Sequence, residues 1–304
     1  MMRNLRTAAI LIAAILAMPM RVTIAQQPAA SGTLDEAAPP GTNYDKAEFR
    51  LWIPPAAATV RAIVVLVPGS NGDGRPMADD AFWRDFATRH SLALVACRFT
   101  DKPHDQSFIE HYVNVSQGSG QALLDAIGRF SERAKHPELG TAPFYMWGMS
   151  AGGQFNYEFV AWKPERVAAF VVNKGGIYYT ALAPKAAREV PGLLFIGDAD
   201  LEFRNHTIAG LFAVNRRAGA RWALTREPGL AHVVGRSREL GAMLFEEVPP
   251  LKPLDTPAGF IGDLKALTFR PAAEAGALSV PTAWFATERL ARGWQAVVNG
   301  NPFN

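Results

Sequence analysis

The chain of 304 residues holds one cysteine, Cys97, so no intrachain disulfide can form. Cys97 sits in the apolar stretch LALVACRF and reads as a small core residue. Charged residues are few, at 19%, and no composition bias points to disorder or to collagen-like repeats. The N-terminal apolar run, Thr7 to Ala17, falls short of the roughly 20 residues that span a bilayer. Histidines number six, and they do not fall with the acids at metal-ligand spacing. The stretch GSNGDG beginning at Gly69 is followed by no Lys-Ser or Lys-Thr pair, which rules out a nucleotide phosphate loop. It is also not G-x-G-x-x-G, which disfavours a dinucleotide site. No metal and no other cofactor is expected.

What is present begins with a targeting pattern. Arg3 and Arg6 precede the apolar run, and the small residues Thr23 and Ala25 stand where a signal peptidase would read them. Residues 1–25 are therefore expected to be a cleaved signal peptide, with a secreted or periplasmic mature chain. No cysteine lies at the expected cut, so a lipid anchor is not expected, nor any membrane anchor in the mature form. The signal carries Arg3, Arg6 and Arg21, and its removal leaves 28 basic against 28 acidic residues. A chain so balanced has no field to attract nucleic acid or to steer charged substrates.

Residues 26–42 (QQPAASGTLDEAAPPGT) are small, polar and proline-bearing, and are expected to form a flexible lead-in. From 43 to 248 strands and helices alternate. The stretches AEFRLWIP, RAIVVLV, Leu92 to Phe99, Phe144 to Trp147, Val167 to Asn173, Leu193 to Ile196 and Arg221 to Arg226 read as strands. Helical spacing runs over Asp80 to His90, Gly118 to Lys135, Ala151 to Trp162 and Ser237 to Glu247. That alternation predicts an α/β fold, a mainly parallel sheet with helices on both faces. The 17 residues between Asn173 and Pro191 leave no room for a large cap domain. Residues 249–304 shift toward Pro, Gly and Ala, with helical spacing again over Thr282 to Val298. They are expected to be an extension packed on the core.

Chemistry concentrates at Gly148-Met149-Ser150-Ala151-Gly152. The pentapeptide G-x-S-x-G follows a strand and precedes a helix, which is the setting of a nucleophile elbow. Glycines two residues either side remove the Cβ atoms that would clash in so tight a turn. A serine needs a base, and the elbow takes its partners in chain order serine, acid, histidine. His90, His104, His111 and His136 precede Ser150 and are excluded. His206 follows the acids too closely. His232, in the glycine-bearing loop PGLAH, is the expected base. The loop Gly197-Asp198-Ala199-Asp200-Leu201-Glu202 offers three carboxylates. Asp200 is preferred because the chain can turn before it, with Asp198 and then Glu202 as alternatives. The oxyanion donors are expected at the amides of Ala151 and Ser70, with Asn71 as an alternative. Asn71 and Trp147 are the expected substrate-binding residues.

With these motifs in order, residues from about Glu48 to Val248 resemble the α/β-hydrolase superfamily. Within it the oxyanion loop VPGSNGDG, the helix FWRDFA, the elbow WGMSAGG and the closing GLAH are similar to secreted, lidless esterases. These are the relatives of polyhydroxybutyrate depolymerases and of feruloyl and acetylxylan esterases. The loop departs from many of them in having Pro68 where they carry a histidine. The resemblance implies a cofactor-free serine esterase acting on a small-molecule or polymer-derived ester through an acyl-enzyme intermediate. A peptidase or thioesterase on the same scaffold, or a non-catalytic binding protein, are the competing expectations.

Overall fold

The computed structural model describes residues 32–250, 259–275 and 282–303; the expected signal segment, 1–25, lies outside them. Eight strands make the main sheet: β1 (Gly32–Ala38), β2 (Lys46–Ile53), β3 (Ile63–Val67), β4 (Ala93–Thr100), β5 (Phe144–Met149), β6 (Val167–Asn173), β7 (Gly192–Gly197) and β8 (Trp222–Glu227). Their order is β1-β2-β4-β3-β5-β6-β7-β8. β1 pairs antiparallel with β2, and β2 with β4, whereas every pairing from β4 to β8 is parallel. The expected mainly parallel sheet is therefore what forms, with an antiparallel margin.

The apolar runs follow from burial on two faces. In β3, Ile63, Val65 and Val67 point into one core, while Val64 and Leu66 point into the other. The first core is closed by α2 (Ser119–Ala134), α3 (Ala151–Trp162), the short α4 (Lys185–Glu189) and α5 (Glu202–Arg217). The second is closed by α1 (Ala81–His90), α6 (Ser237–Glu247) and α7 (Glu288–Val298). Local signals set the helix ends. Asp80 caps α1 by accepting from the Trp83 amide, and Ser91, at φ 54°, ends it in the left-handed region. Thr287 caps α7 in the same way through the Leu290 amide. Cys97 is fully buried in the first core, and burial pushes its thiol well above the ordinary range.

Within the expected lead-in, 26–42, the described part begins at Gly32 and is ordered from its start. Its residues 32–38 form β1, whose register runs from Gly32 opposite Ile53 to Ala38 opposite Ala47. Long-range ion pairs hold it: Asp35 with Arg50, and Glu36 with Arg129 and Arg133 of α2. In the C-terminal extension, α7 takes up the later part of the stretch Thr282 to Val298 where helical spacing was expected, whereas Ala283 to Phe285 form a strand instead. A small antiparallel sheet of β9 (Phe260–Asp263), β10 (Thr268–Pro271) and β11 (Ala283–Phe285) accompanies it, in the order β10-β9-β11. Trp294 of α7 is fully buried against the main sheet, and its indole N–H donates to the Leu224 carbonyl at 2.9 Å. Among the described residues no helix is long and apolar enough to cross a membrane.

Candidate active site

β5 ends at Met149 and α3 begins at Ala151, so a single residue makes the turn between them. That residue, Ser150, has φ 54° and ψ −122°, a region that side chains with a Cβ avoid. Such a conformation costs on the order of 1–3 kcal/mol and persists only where its surroundings fix it. Here they do. The Ser150 amide donates to the Asn173 carbonyl at 2.7 Å. A Cβ on Gly148 would lie 2.2 Å from the Gly152 carbonyl oxygen, and one on Gly152 would lie 2.1 Å from that of Val67. Only glycine at both positions lets β3, β5 and α3 approach so closely.

Residues 68–74 lie beside this elbow, a Cβ on Gly69 falling 3.6 Å from the Ser150 Cβ. Among the described residues, the amides of Ser70 and Ala151 donate to no protein acceptor. For Ala151 the reason is helical geometry, because the first turn has no carbonyl four residues back. Asn71 is placed differently from the expectation that it binds substrate. Its amide donates to the Tyr112 hydroxyl at 3.3 Å, its carboxamide oxygen accepts from the Asp101 amide at 2.7 Å, and its carboxamide nitrogen donates to Ser70 Oγ at 3.1 Å. Its polar groups brace the loop. Side chains alternate along β5, and Trp147 falls on the α1 side, 2% exposed and packed on Trp83 with ring centroids 5.9 Å apart.

The loop after β7 carries Asp200, and the loop after β8 carries His232. Asp200 Oδ2 lies 2.8 Å from His232 Nδ1. A carboxylate only accepts, so Nδ1 holds the proton and Nε2 is left as the acceptor. Asp200 Oδ1 accepts from the Leu201 amide at 2.7 Å and from Arg204 Nη1 at 3.0 Å. Burial alone would raise the Asp200 carboxyl. The bonds from His232, Leu201 and Arg204 outweigh it and hold the group below its ordinary value. Asp198 is engaged elsewhere, in an ion pair with Arg226 at the surface. Glu202 is exposed and lies 3.9 Å from the equally exposed His206. The structure therefore brings Asp200 and His232 together and leaves the other two carboxylates apart from them.

Ser150 Oγ and His232 Nε2 share no hydrogen bond in this structure. The two loops are nonetheless fastened to each other by Asn173, at the end of β6. Its carbonyl holds the Ser150 amide, and its Nδ2 donates to Met149 Sδ at 3.1 Å and to the Val234 carbonyl at 3.0 Å.

Beneath this arrangement lies a buried ion pair that sequence reasoning missed. Lys174 and Glu227 are bonded to each other with side chains 0% and 2% exposed. Lys174 Nζ also donates to Asn173 Oδ1 at 3.2 Å, and Glu227 Oε1 accepts from the Arg236 amide at 2.6 Å. The Glu227 carbonyl in turn accepts from the amides of Asp198 and Leu230. The pair thus ties the end of β6 to the loops that carry both Asp200 and His232. The available signal was a charge abutting each apolar strand, in VVNK and WALTRE. Lys174→Met should lower unfolding stability by about 3–5 kcal/mol, since it strands a buried carboxylate. The double variant Lys174→Met/Glu227→Met should recover most of that loss. Urea unfolding of the three chains checks this, and a single variant as stable as wild type would refute it.

No family model and no curated protein matches the chain. Solved structures do. The chain is similar to LpqC, the poly(3-hydroxybutyrate) depolymerase from Bordetella parapertussis, at 17% identity and a TM-score of 0.51, over 71% of this chain and 88% of that one. It is similar to a ferulic acid esterase at 11% identity and a TM-score of 0.50, over 73% of this chain and 97% of that one. A thermostable esterase matches at 15% identity and a TM-score of 0.50, over 64% of this chain and 54% of the esterase. At these identities the likeness speaks to architecture, and it agrees with the strand order and the strand–turn–helix at Ser150. The chain has the α/β-hydrolase fold of esterases and depolymerases.

Proposed function

We propose that the protein is an exported serine hydrolase that cleaves carboxylic esters, with Ser150, His232 and Asp200 as its triad. The observation that carries the reading is the Asp200–His232 hydrogen bond of 2.8 Å, formed between the two loops that flank a strained serine elbow. His232 Nε2 takes the Ser150 Oγ proton as the oxygen attacks the ester carbonyl. Catalytic hydrogen bonds of this kind are often long in unliganded enzymes and tighten on the substrate. The negative oxygen of the tetrahedral intermediate is held by the amides of Ala151 and Ser70, at the positive end of α3. The imidazolium gives its proton to the leaving alcohol, and an acyl–Ser150 ester remains. Water, deprotonated by His232, then releases the acid and restores the serine.

Export is inferred from the basic and apolar pattern of residues 1–25. The short connection from β6 to β7, which carries only α4 as a helix, supports an open cleft with no capping domain. A soluble ester or the end of a polymer suits such a cleft. The test is labelling with a fluorophosphonate probe, followed by peptide mapping, alongside hydrolysis of p-nitrophenyl esters from acetate to palmitate. Label on Ser150 with turnover of at least one ester is the expected result. Absence of both label and turnover would return the chain to the binding-protein reading.

A further inference from the structure

Among the described residues eight large apolar side chains are exposed, and five of them come from the segments around Asp200, His232 and Phe108. Of the eight, Leu201 directly follows Asp200 and Phe203 lies three positions after it in the first turn of α5, while Val233 and Val234 directly follow His232. A fifth, Phe108, comes from the loop after β4 and meets Phe203 with ring centroids 5.7 Å apart. Phe108 is 58% exposed and Phe203 40%. Phe108 also has φ 62°, so its backbone is held in the left-handed region while its ring stays largely in water. Strain combined with exposure of a phenyl ring is costly for stability alone, and such features concentrate where a ligand is recognised.

Arg204 completes the wall. Its guanidinium lies 5.9 Å from the Phe108 ring centre and 5.3 Å from that of Phe203, and it is bonded to Asp200 Oδ1. Its charge is already matched by Asp200, so the surface it supports is uncharged in effect. Flat apolar groups stack well on such a surface, whereas an anion gains no unpaired cation there.

Resting on the esterase reading above, we propose that Phe108 and Phe203 form a subsite for the alcohol half of the substrate, and that this half is uncharged and aromatic or bulky apolar. The assignment to the alcohol follows from the chemistry. His232 must reach the leaving oxygen to protonate it, and Phe108 and Phe203 are joined to His232 through Arg204 and Asp200, so the group attached to that oxygen is the half assigned to them. The carbonyl oxygen is directed instead to the Ser70 and Ala151 amides.

The experiment holds one half of the ester constant at a time. Benzyl and ethyl acetate vary the alcohol, and ethyl phenylacetate and ethyl acetate vary the acid. In Phe108→Ala and Phe203→Ala the ratio of kcat/KM for benzyl acetate to that for ethyl acetate should fall about tenfold. The acid-side ratio should move by less than about twofold. A benzyl-to-ethyl ratio equal to that of wild type overturns the subsite. A fall confined to the phenylacetate ratio overturns its assignment to the alcohol. Fluorophosphonate labelling of Ser150 separates the two levels, since a labelled enzyme with an unmoved ratio refutes this inference alone. An unlabelled, inactive wild type removes the esterase reading beneath it.

Discussion

Ser150→Ala is expected to lower ester turnover on the order of 10⁶-fold while leaving the chain folded. The alanine removes the oxygen that forms the acyl bond but keeps a Cβ, so the turn between β5 and α3 retains its φ of 54° and its strain. Residual rate, on the order of 10³-fold over water, would come from the Ser70 and Ala151 amides and from substrate binding. Ser150→Gly should lose activity equally yet gain about 1 kcal/mol of stability, because glycine tolerates the left-handed backbone. Steady-state hydrolysis of p-nitrophenyl acetate and urea unfolding measure the two quantities. An alanine variant within tenfold of wild type would show that another residue carries the nucleophile.

Asp200→Asn should lower kcat on the order of 10⁴-fold, and Asp198→Asn should leave it within about twofold. The contrast follows from what each carboxylate touches. Asp200 meets His232 Nδ1, whereas Asp198 meets Arg226 at the surface. An amide at position 200 can offer a donor to Nδ1, which moves the imidazole proton to Nε2 and leaves nothing to accept from Ser150. The same substitution removes a pH dependence of folding. A carboxyl held below its ordinary value stabilises the fold above that ordinary value, and the contribution is lost as pH falls through the lowered one. Wild type should therefore lose this part of its stability on acidification, and Asp200→Asn should not. Kinetics of the two asparagine variants at neutral pH, with Tm followed from pH 7 into the acid range, check both parts. Equal activity of Asp198→Asn and Asp200→Asn would remove Asp200 from its proposed role.

The features legible in the sequence were those whose constraint is local. Strands covered on both faces must be apolar throughout, so β3 through β7 announced themselves. The elbow was legible because two glycines are needed within five residues, and the Asp200–His232 pairing because chain order and loop position restrict the choice. β1 was hidden because its sequence, GTLDEAA, is that of an edge strand with little burial. What holds it is remote, in Arg50, Arg129 and Arg133. Trp147 shows the limit of alternation. The sequence says that Tyr145 and Trp147 share a face, but only the packing of α1 and α6 says which one. The Lys174–Glu227 pair was hidden for a similar reason, since each charge by itself reads as the polar end of a strand. β9 and β11, four and three residues long, are too short for periodicity to mark.

The two free margins of the main sheet are treated differently. β1 carries acidic side chains already engaged by arginines, while at β8 the Leu224 carbonyl accepts the buried Trp294 indole. An open strand edge is a template on which a second chain can add itself and seed aggregates. Charge blunts that template on one side, and the C-terminal extension covers part of it on the other. Residues 282–303, remote in sequence from Ser150, thereby act as an end-stop that helps keep copies of this protein from joining sheet to sheet.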